Sequence, residues 1–167
     1  SWASKKPGRY IIEDDDDSEF RYRGKPIPAM QGMDSAGKVI YIGTFSKSIA
    51  PAIRVGYLVL PKELLHIYKE RYSFYASTVS RIDQKIIYQF LVEGHYERHL
   101  NRMRAIYKSK HDLLLGELKK MEGFFQIEGE FAGLHVLLND EKKREESWLV
   151  DQARTAGVCV YGLSAYY

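Results

Sequence analysis

Cysteine is almost absent. Cys159 is the sole one, so no internal disulfide can form, and a reducing cytoplasm is the expected setting. It lies in the apolar run Val158-Cys159-Val160 and reads as core filling. Long apolar runs are missing too. A bilayer needs about 20 consecutive apolar residues, and no such run is visible, so no membrane partner is expected. Charge is nearly balanced: Lys and Arg number 25, Asp and Glu 22, for a net +3. With no basic stripe, nothing marks this segment itself as a nucleic-acid surface. Internal repeats, low-complexity tracts, a signal peptide and a metal-ligating cluster are likewise not found, and no metal is expected. Ser1 is not a methionine, and Ser1-Trp2-Ala3 reads as the tail of a helix whose beginning is absent.

What is present suffices for a core in one or two domains. Residues 9–12, 39–43 and 54–60 are compact apolar runs, the pattern of strands in a sheet covered on both faces. The first ends in the acidic run Glu13 to Asp17. The second leads into Gly43-Thr44-Phe45-Ser46-Lys47-Ser48-Ile49-Ala50-Pro51-Ala52-Ile53-Arg54. Two readings stand side by side for this stretch. Lys47 is a surface lysine in a serine-rich turn, or it is an amine placed for a Schiff base. In the second reading Thr44, Ser46 and Arg54 anchor a phosphate, which is what attachment of pyridoxal phosphate (PLP) demands.

Pro61 opens a helix over 62–72. Ser80 followed by Asp83 and Gln84 marks another helix start, with Ile86, Ile87, Phe90 and Leu91 as its apolar face. Gly94 breaks the rod. Leu100, Met103, Tyr107, Leu114, Leu118 and Met121 recur at helical spacing to about Met121, with Gly123 as the stop. Residues 126–138 read as two strands broken near Gly133. Residues 141–157 read as an amphipathic helix with Trp148, Leu149 and Ala153 inward, and 158–161 as a last strand. The charge run 141–146 reads as a solvated helix face.

The strings Ile12-Glu13-Asp14-Asp15-Asp16-Asp17-Ser18-Glu19-Phe20-Arg21-Tyr22, the Lys47 segment and Arg54-Val55-Gly56-Tyr57 resemble the aminotransferase-like domain of MocR regulators. These belong to the GntR superfamily of bacterial transcription factors. Val79-Ser80-Arg81-Ile82-Asp83-Gln84, His95-Tyr96-Glu97-Arg98-His99-Leu100, Ala132-Gly133-Leu134-His135 and Tyr161-Gly162-Leu163-Ser164 extend the resemblance over nearly the whole chain. It implies an α/β fold: part of a fold type I PLP-dependent large domain, with a mostly parallel sheet and helices, then a long helix and a small α+β domain. The corresponding boundaries are 1–80 for the PLP-binding part, 81–122 for connecting helices and 123–167 for the small domain.

The resemblance further implies that Lys47 is the internal-aldimine lysine and that Asp14 pairs with the pyridine nitrogen. It gives Thr44, Ser46 and Arg54 the phosphate. Read from the residues themselves, Asp15 and Asp17 belong to an exposed acidic loop. Two positions depart from the resemblance. Asp16 stands at a cofactor-binding position where the family usually has tyrosine. Ala165 stands where the family has the arginine that grips an amino-acid carboxylate. Weakened cofactor tuning and weakened amino-acid binding are expected.

The function so implied is an effector-sensing domain of a PLP-dependent transcriptional regulator; the alternative is a class I/II aminotransferase. Weak or absent transaminase activity is expected. The implied partners are an amino acid or vitamin B6 effector, a second copy in a homodimer, and DNA through a winged-helix domain not present in this chain. The loop at Ser80 and Arg81 either reaches a neighbouring subunit or simply caps a helix. The chain reads as a fragment, so PLP is expected to bind the full-length protein and to bind the fragment poorly or not at all.

Overall fold

A computed structural model describes residues 2–25, 27–121 and 123–166, the side chain of Ala165 excepted. The chain divides into two compact units, Ser1–Lys110 with Phe131–Leu134, and His111–Glu130 with His135–Tyr167.

The first unit is built on a three-stranded sheet in the order β1 (Ile11–Asp15), β2 (Val39–Thr44), β3 (Gly56–Val59). β1 and β2 are parallel, from Ile11 opposite Val39 to Asp15 opposite Gly43. β3 runs antiparallel to β2, from Tyr41 opposite Val59 to Thr44 opposite Gly56. β1 starts two residues later than residues 9–12 suggest and continues into the acidic run as far as Asp15. β3 is shorter than residues 54–60 suggest because Arg54 adopts a left-handed backbone, φ 49°, which cannot continue a strand. Tyr57, Leu58 and Val59 are exposed at 37, 58 and 37%, so in this chain β3 is not covered on both faces.

Helix α1 (Lys62–Tyr72) follows Pro61 as expected. In α2 (Arg81–Val92) the cap is Ser80, whose side chain accepts the Asp83 N–H at 3.1 Å. Gly94, at φ 69°, separates α2 from α3 (His95–Lys119). Phe20 is fully buried and packs edge-on against Tyr107, ring centroids 5.1 Å apart. Burying a phenylalanine stabilises by roughly 2–3 kcal/mol. The Gly133 amide donates to the Phe20 carbonyl at 2.8 Å, which ties residues 131–134 to this unit. α3 buries Leu100, His111 and Leu115. Leu114, expected inward, is 47% exposed. The covered face steps by four residues from Tyr107 through His111 to Leu115, and Leu114 falls to its side.

In the second unit β4 (Phe125–Glu128) and β5 (Leu137–Asp140) pair antiparallel. The second strand starts at Leu137 and runs two residues past the stretch read from 126–138. α4 spans Glu146–Thr155, shorter than 141–157. Asp140 explains the late start: its carboxylate accepts the Arg144 N–H at 2.7 Å and pairs with the Arg144 guanidinium, while Lys143 turns left-handed at φ 51°. The residues 141–146 therefore form mostly a turn. Trp148 is 46% exposed rather than inward.

Residues 158–161 form no strand. Gly157, at φ 80°, donates to the Arg154 carbonyl at 3.0 Å and Val158 to the Ala153 carbonyl at 2.8 Å, a Schellman closure of α4 that takes the Val158 N–H out of any ladder. Cys159 is exposed, not core filling, since its run has no sheet to join among the described residues. No described helix is long and apolar enough to cross a membrane.

Candidate functional site

From Ile11 to Glu19 the chain alternates half-buried and exposed residues without a break. A strand sends successive side chains to opposite faces as far as Asp15, where β1 ends, and the alternation of exposure carries on past it to Glu19. Glu13, Asp15, Asp17 and Glu19 fall on the covered side, and each is engaged in the fold. Glu13 accepts the Met30 and Gln31 amides at 2.7 and 2.9 Å. Asp15 accepts the Tyr41 hydroxyl at 2.6 Å and the Ser18 hydroxyl at 2.7 Å. Asp17 accepts the Leu134 amide at 3.1 Å. Glu19 faces the Tyr96 hydroxyl at 3.5 Å, and its own carbonyl accepts Arg104 Nε at 2.6 Å. The expectation of an exposed loop at Asp15 and Asp17 is thereby corrected: backbone and phenol donors hold both residues half-buried.

Burial shapes the electrostatics of that side. It pushes the Glu19 carboxyl upward, and Asp15 adds to this, against the opposing pull of the Glu19 backbone, Tyr96 and Arg104. The Tyr41 phenol is pushed far up, first by desolvation and then by its bond to Asp15 and its neighbour Tyr57. It therefore stays a hydrogen-bond donor at ordinary pH. The sequence reading missed Tyr41; its position opposite Glu13 in the ladder was not visible before the register was known.

Asp14 and Asp16 fall on the other, exposed side. Paired residues of neighbouring strands share a face, so Asp14 shares one with Ile42, and Ile42 with Leu58. Thr44 ends β2 on that same face, two residues beyond Ile42. The chain then enters a turn, closed by the Ile49 amide on the Phe45 carbonyl at 2.8 Å, which carries Lys47. Lys47 Nζ lies 3.1 Å from Asp16 Oδ2; their side chains are 31 and 55% exposed.

Val55, the residue after Arg54, reaches the same region through its carbonyl. That oxygen accepts the Phe45 amide at 2.9 Å and the Thr44 hydroxyl at 3.4 Å. The Ser46 amide in turn donates to Thr44 Oγ1 at 3.1 Å. Gly43 lies at the crossing, where an added Cβ would overlap the Tyr57 ring. Ser48, one residue past Lys47, is 1% exposed. Its hydroxyl lies outside direct hydrogen-bond geometry among the described residues, yet it opposes the upward push that burial gives the Tyr96 phenol.

At the carboxyl ends of two parallel strands, where α/β sheets place ligands, the first unit thus pairs the Lys47 amine with the Asp16 carboxylate, and Thr44, Ser46, Arg54 and Asp14 lie on the segments that border this turn. The donor set fits PLP. Thr44, Ser46 and Arg54 are suited to a phosphate, Lys47 to an aldehyde and Asp14 to a protonated ring nitrogen. Asp16 does not fit the donor role of a phenol, since an ionised carboxylate only accepts. Ala165 lies in the short 3-10 turn Ser164–Tyr166 of the second unit; its side chain lies outside the described set. In that unit Glu146 accepts the Leu163 amide at 2.9 Å and the Ser164 amide at 3.1 Å.

Comparison with known proteins points the same way. The family model described as aminotransferase class I and II matches residues 17–166, a span that includes Thr44, Ser46, Lys47 and Arg54. The uncharacterized HTH-type transcriptional regulator YdeL of Bacillus subtilis is 40% identical over 99% of this chain and 36% of its own length. The probable rhizopine catabolism regulatory protein MocR of Rhizobium meliloti is 34% identical over 95% of this chain and 32% of its own. Kynurenine aminotransferase of Pyrococcus horikoshii superposes with a TM-score of 0.82 at 26% identity, covering 95% of this chain and 39% of that one. The chain spans about a third of the length of these curated relatives.

Proposed function

Because the chain belongs to the aminotransferase class I and II family, we propose that it is the PLP-binding, effector-sensing part of a bacterial transcriptional regulator. It works in the cytoplasm as a homodimer, and reaches DNA through a helix-turn-helix segment of the kind its relatives' names carry. The observation that carries this reading is Lys47 in a hydroxyl-rich turn beyond β2, with Val55 drawing Thr44 and the Arg54 segment to the same spot.

PLP, when bound, supplies an aldehyde that condenses with primary amines and a ring that withdraws electrons. Thr44 and Ser46 would donate hydroxyl hydrogens to the phosphate, and Arg54 would add charge-assisted hydrogen bonds. Asp14 would supply the counter-charge that keeps a proton on the ring nitrogen. Lys47 is the covalent anchor. The effector would be an amino acid or a vitamin B6 compound, and a DNA response would follow only if it bound two conformations with different affinity. Ala165 offers no donor to an amino-acid carboxylate, so transaminase turnover is weak or absent.

The test uses the protein expressed from its complete reading frame. Incubation with PLP followed by borohydride reduction is expected to add the cofactor to the Lys47 peptide, read by mass spectrometry. Lys47→Ala is expected to abolish both the adduct and the visible absorbance band. Labelling elsewhere, or a band untouched by Lys47→Ala, would sink the reading.

A further inference from the structure

We propose that Asp16 is an electrostatic latch on Lys47, holding the lysine in an ion pair that must open before its nitrogen can attack a carbonyl. The proposal rests on the PLP reading above only for the identity of that carbonyl. The contact itself is on the page: Nζ to Oδ2 is 3.1 Å, on half-exposed side chains. The other acids of the run are committed elsewhere. Asp15 is held by Tyr41 and Ser18, Asp17 by Leu134, Glu13 by the amides of residues 30 and 31. Asp14 and Asp16 are exposed, and Asp16, just past the end of β1, is the one that meets the amine.

The chemistry of capture makes this contact an obstacle. The paired nitrogen is an ammonium with no lone pair to share. It must give up one proton to solvent and swing away from Asp16. It then forms a C=N bond, while the carbonyl oxygen leaves as one water with the two remaining N–H hydrogens. The Coulomb attraction is lost before the new bond forms, so Asp16 slows capture without entering the product. A half-exposed pair of this kind is worth up to about 1 kcal/mol, which converts to roughly a two- to five-fold rate effect.

The experiment has two arms on the complete protein. In the first, trace acetylation with acetic anhydride measures the reactivity of Lys47 against exposed Lys25 by mass spectrometry, with no cofactor present. Asp16→Asn is expected to raise relative Lys47 labelling about two- to five-fold, and Asp16→Glu to keep it slow. In the second, borohydride trapping at timed intervals measures PLP capture, and Asp16→Asn is expected to speed it by a similar factor. Labelling unchanged in Asp16→Asn overturns the latch, whether or not PLP is captured. Faster labelling without faster capture overturns it as well. If the natural sequence captures no PLP at Lys47, the functional reading falls, and the acetylation arm alone decides whether the ion pair restrains the amine.

Discussion

Six acidic residues lie between positions 13 and 19, and their separate fates show how much one residue's surroundings decide. In an open loop they would repel one another. In the fold, four are half-buried among hydrogen-bond donors, while Asp14 and Asp16 stay exposed. Tyr41→Phe removes the hydroxyl that Asp15 accepts at 2.6 Å. It is expected to cost about 1 kcal/mol, read as a lower urea midpoint with an unchanged slope. Asp140 gives a second prediction at this scale. The hydrogen bond from Arg144 holds its carboxyl down at about 2, from an ordinary 3.8. A depressed acid contributes stability that is present above its unfolded value and lost as pH falls through the folded one. That contribution is therefore expected to disappear between about pH 4 and pH 2. An NMR titration should find the Asp140 midpoint near the lower end, and Arg144→Ala should raise it toward the ordinary range, the backbone amides of residues 142 and 144 still holding it down in part.

Elements were legible where a local signal fixes their ends. α1 begins after Pro61 because proline lacks the N–H that a first turn does not need. α2 begins after Ser80 because its hydroxyl takes an amide the helix leaves open. Ser80→Ala is expected to cost about 1 kcal/mol and Ser80→Gly only a few tenths, with faster hydrogen exchange at the Asp83 amide in both. α4 was read too long because its start depends on Asp140 and Lys143 turning the chain back after β5, a non-local match of side chain and backbone. The contact between β2 and β3 gives another prediction. Gly43→Ala would push a methyl into the Tyr57 ring and is expected to cost roughly 1–3 kcal/mol. In a Tyr57→Ala background the same change should cost markedly less, by double-mutant cycle.

At the scale of the whole chain, the sheet face that carries Asp14 also carries apolar residues open to water. Ile12 is 65% and Leu58 58% exposed, and exposed apolar patches drive association. The isolated 167-residue chain is expected to elute above its 19.4 kDa mass in size exclusion. Ile12→Asp with Leu58→Asp is expected to move it toward the monomer position. Unchanged elution of the double variant would mean that another surface drives the association.

The order of amino acids alone determined the chemistry on offer: an amine among hydroxyls after an apolar run, an arginine seven residues on, and an acidic string before it. It also determined most helix starts, since caps and prolines act within a turn of chain. Tertiary structure alone decided which carboxylate meets the lysine. That depends on the parallel register of β1 with β2 and on the turn that follows β2, and neither is set by residues near Asp16 in sequence. The same holds for Cys159 and Leu114. Burial is a property of what lies opposite, and a linear pattern names a face without saying what covers it.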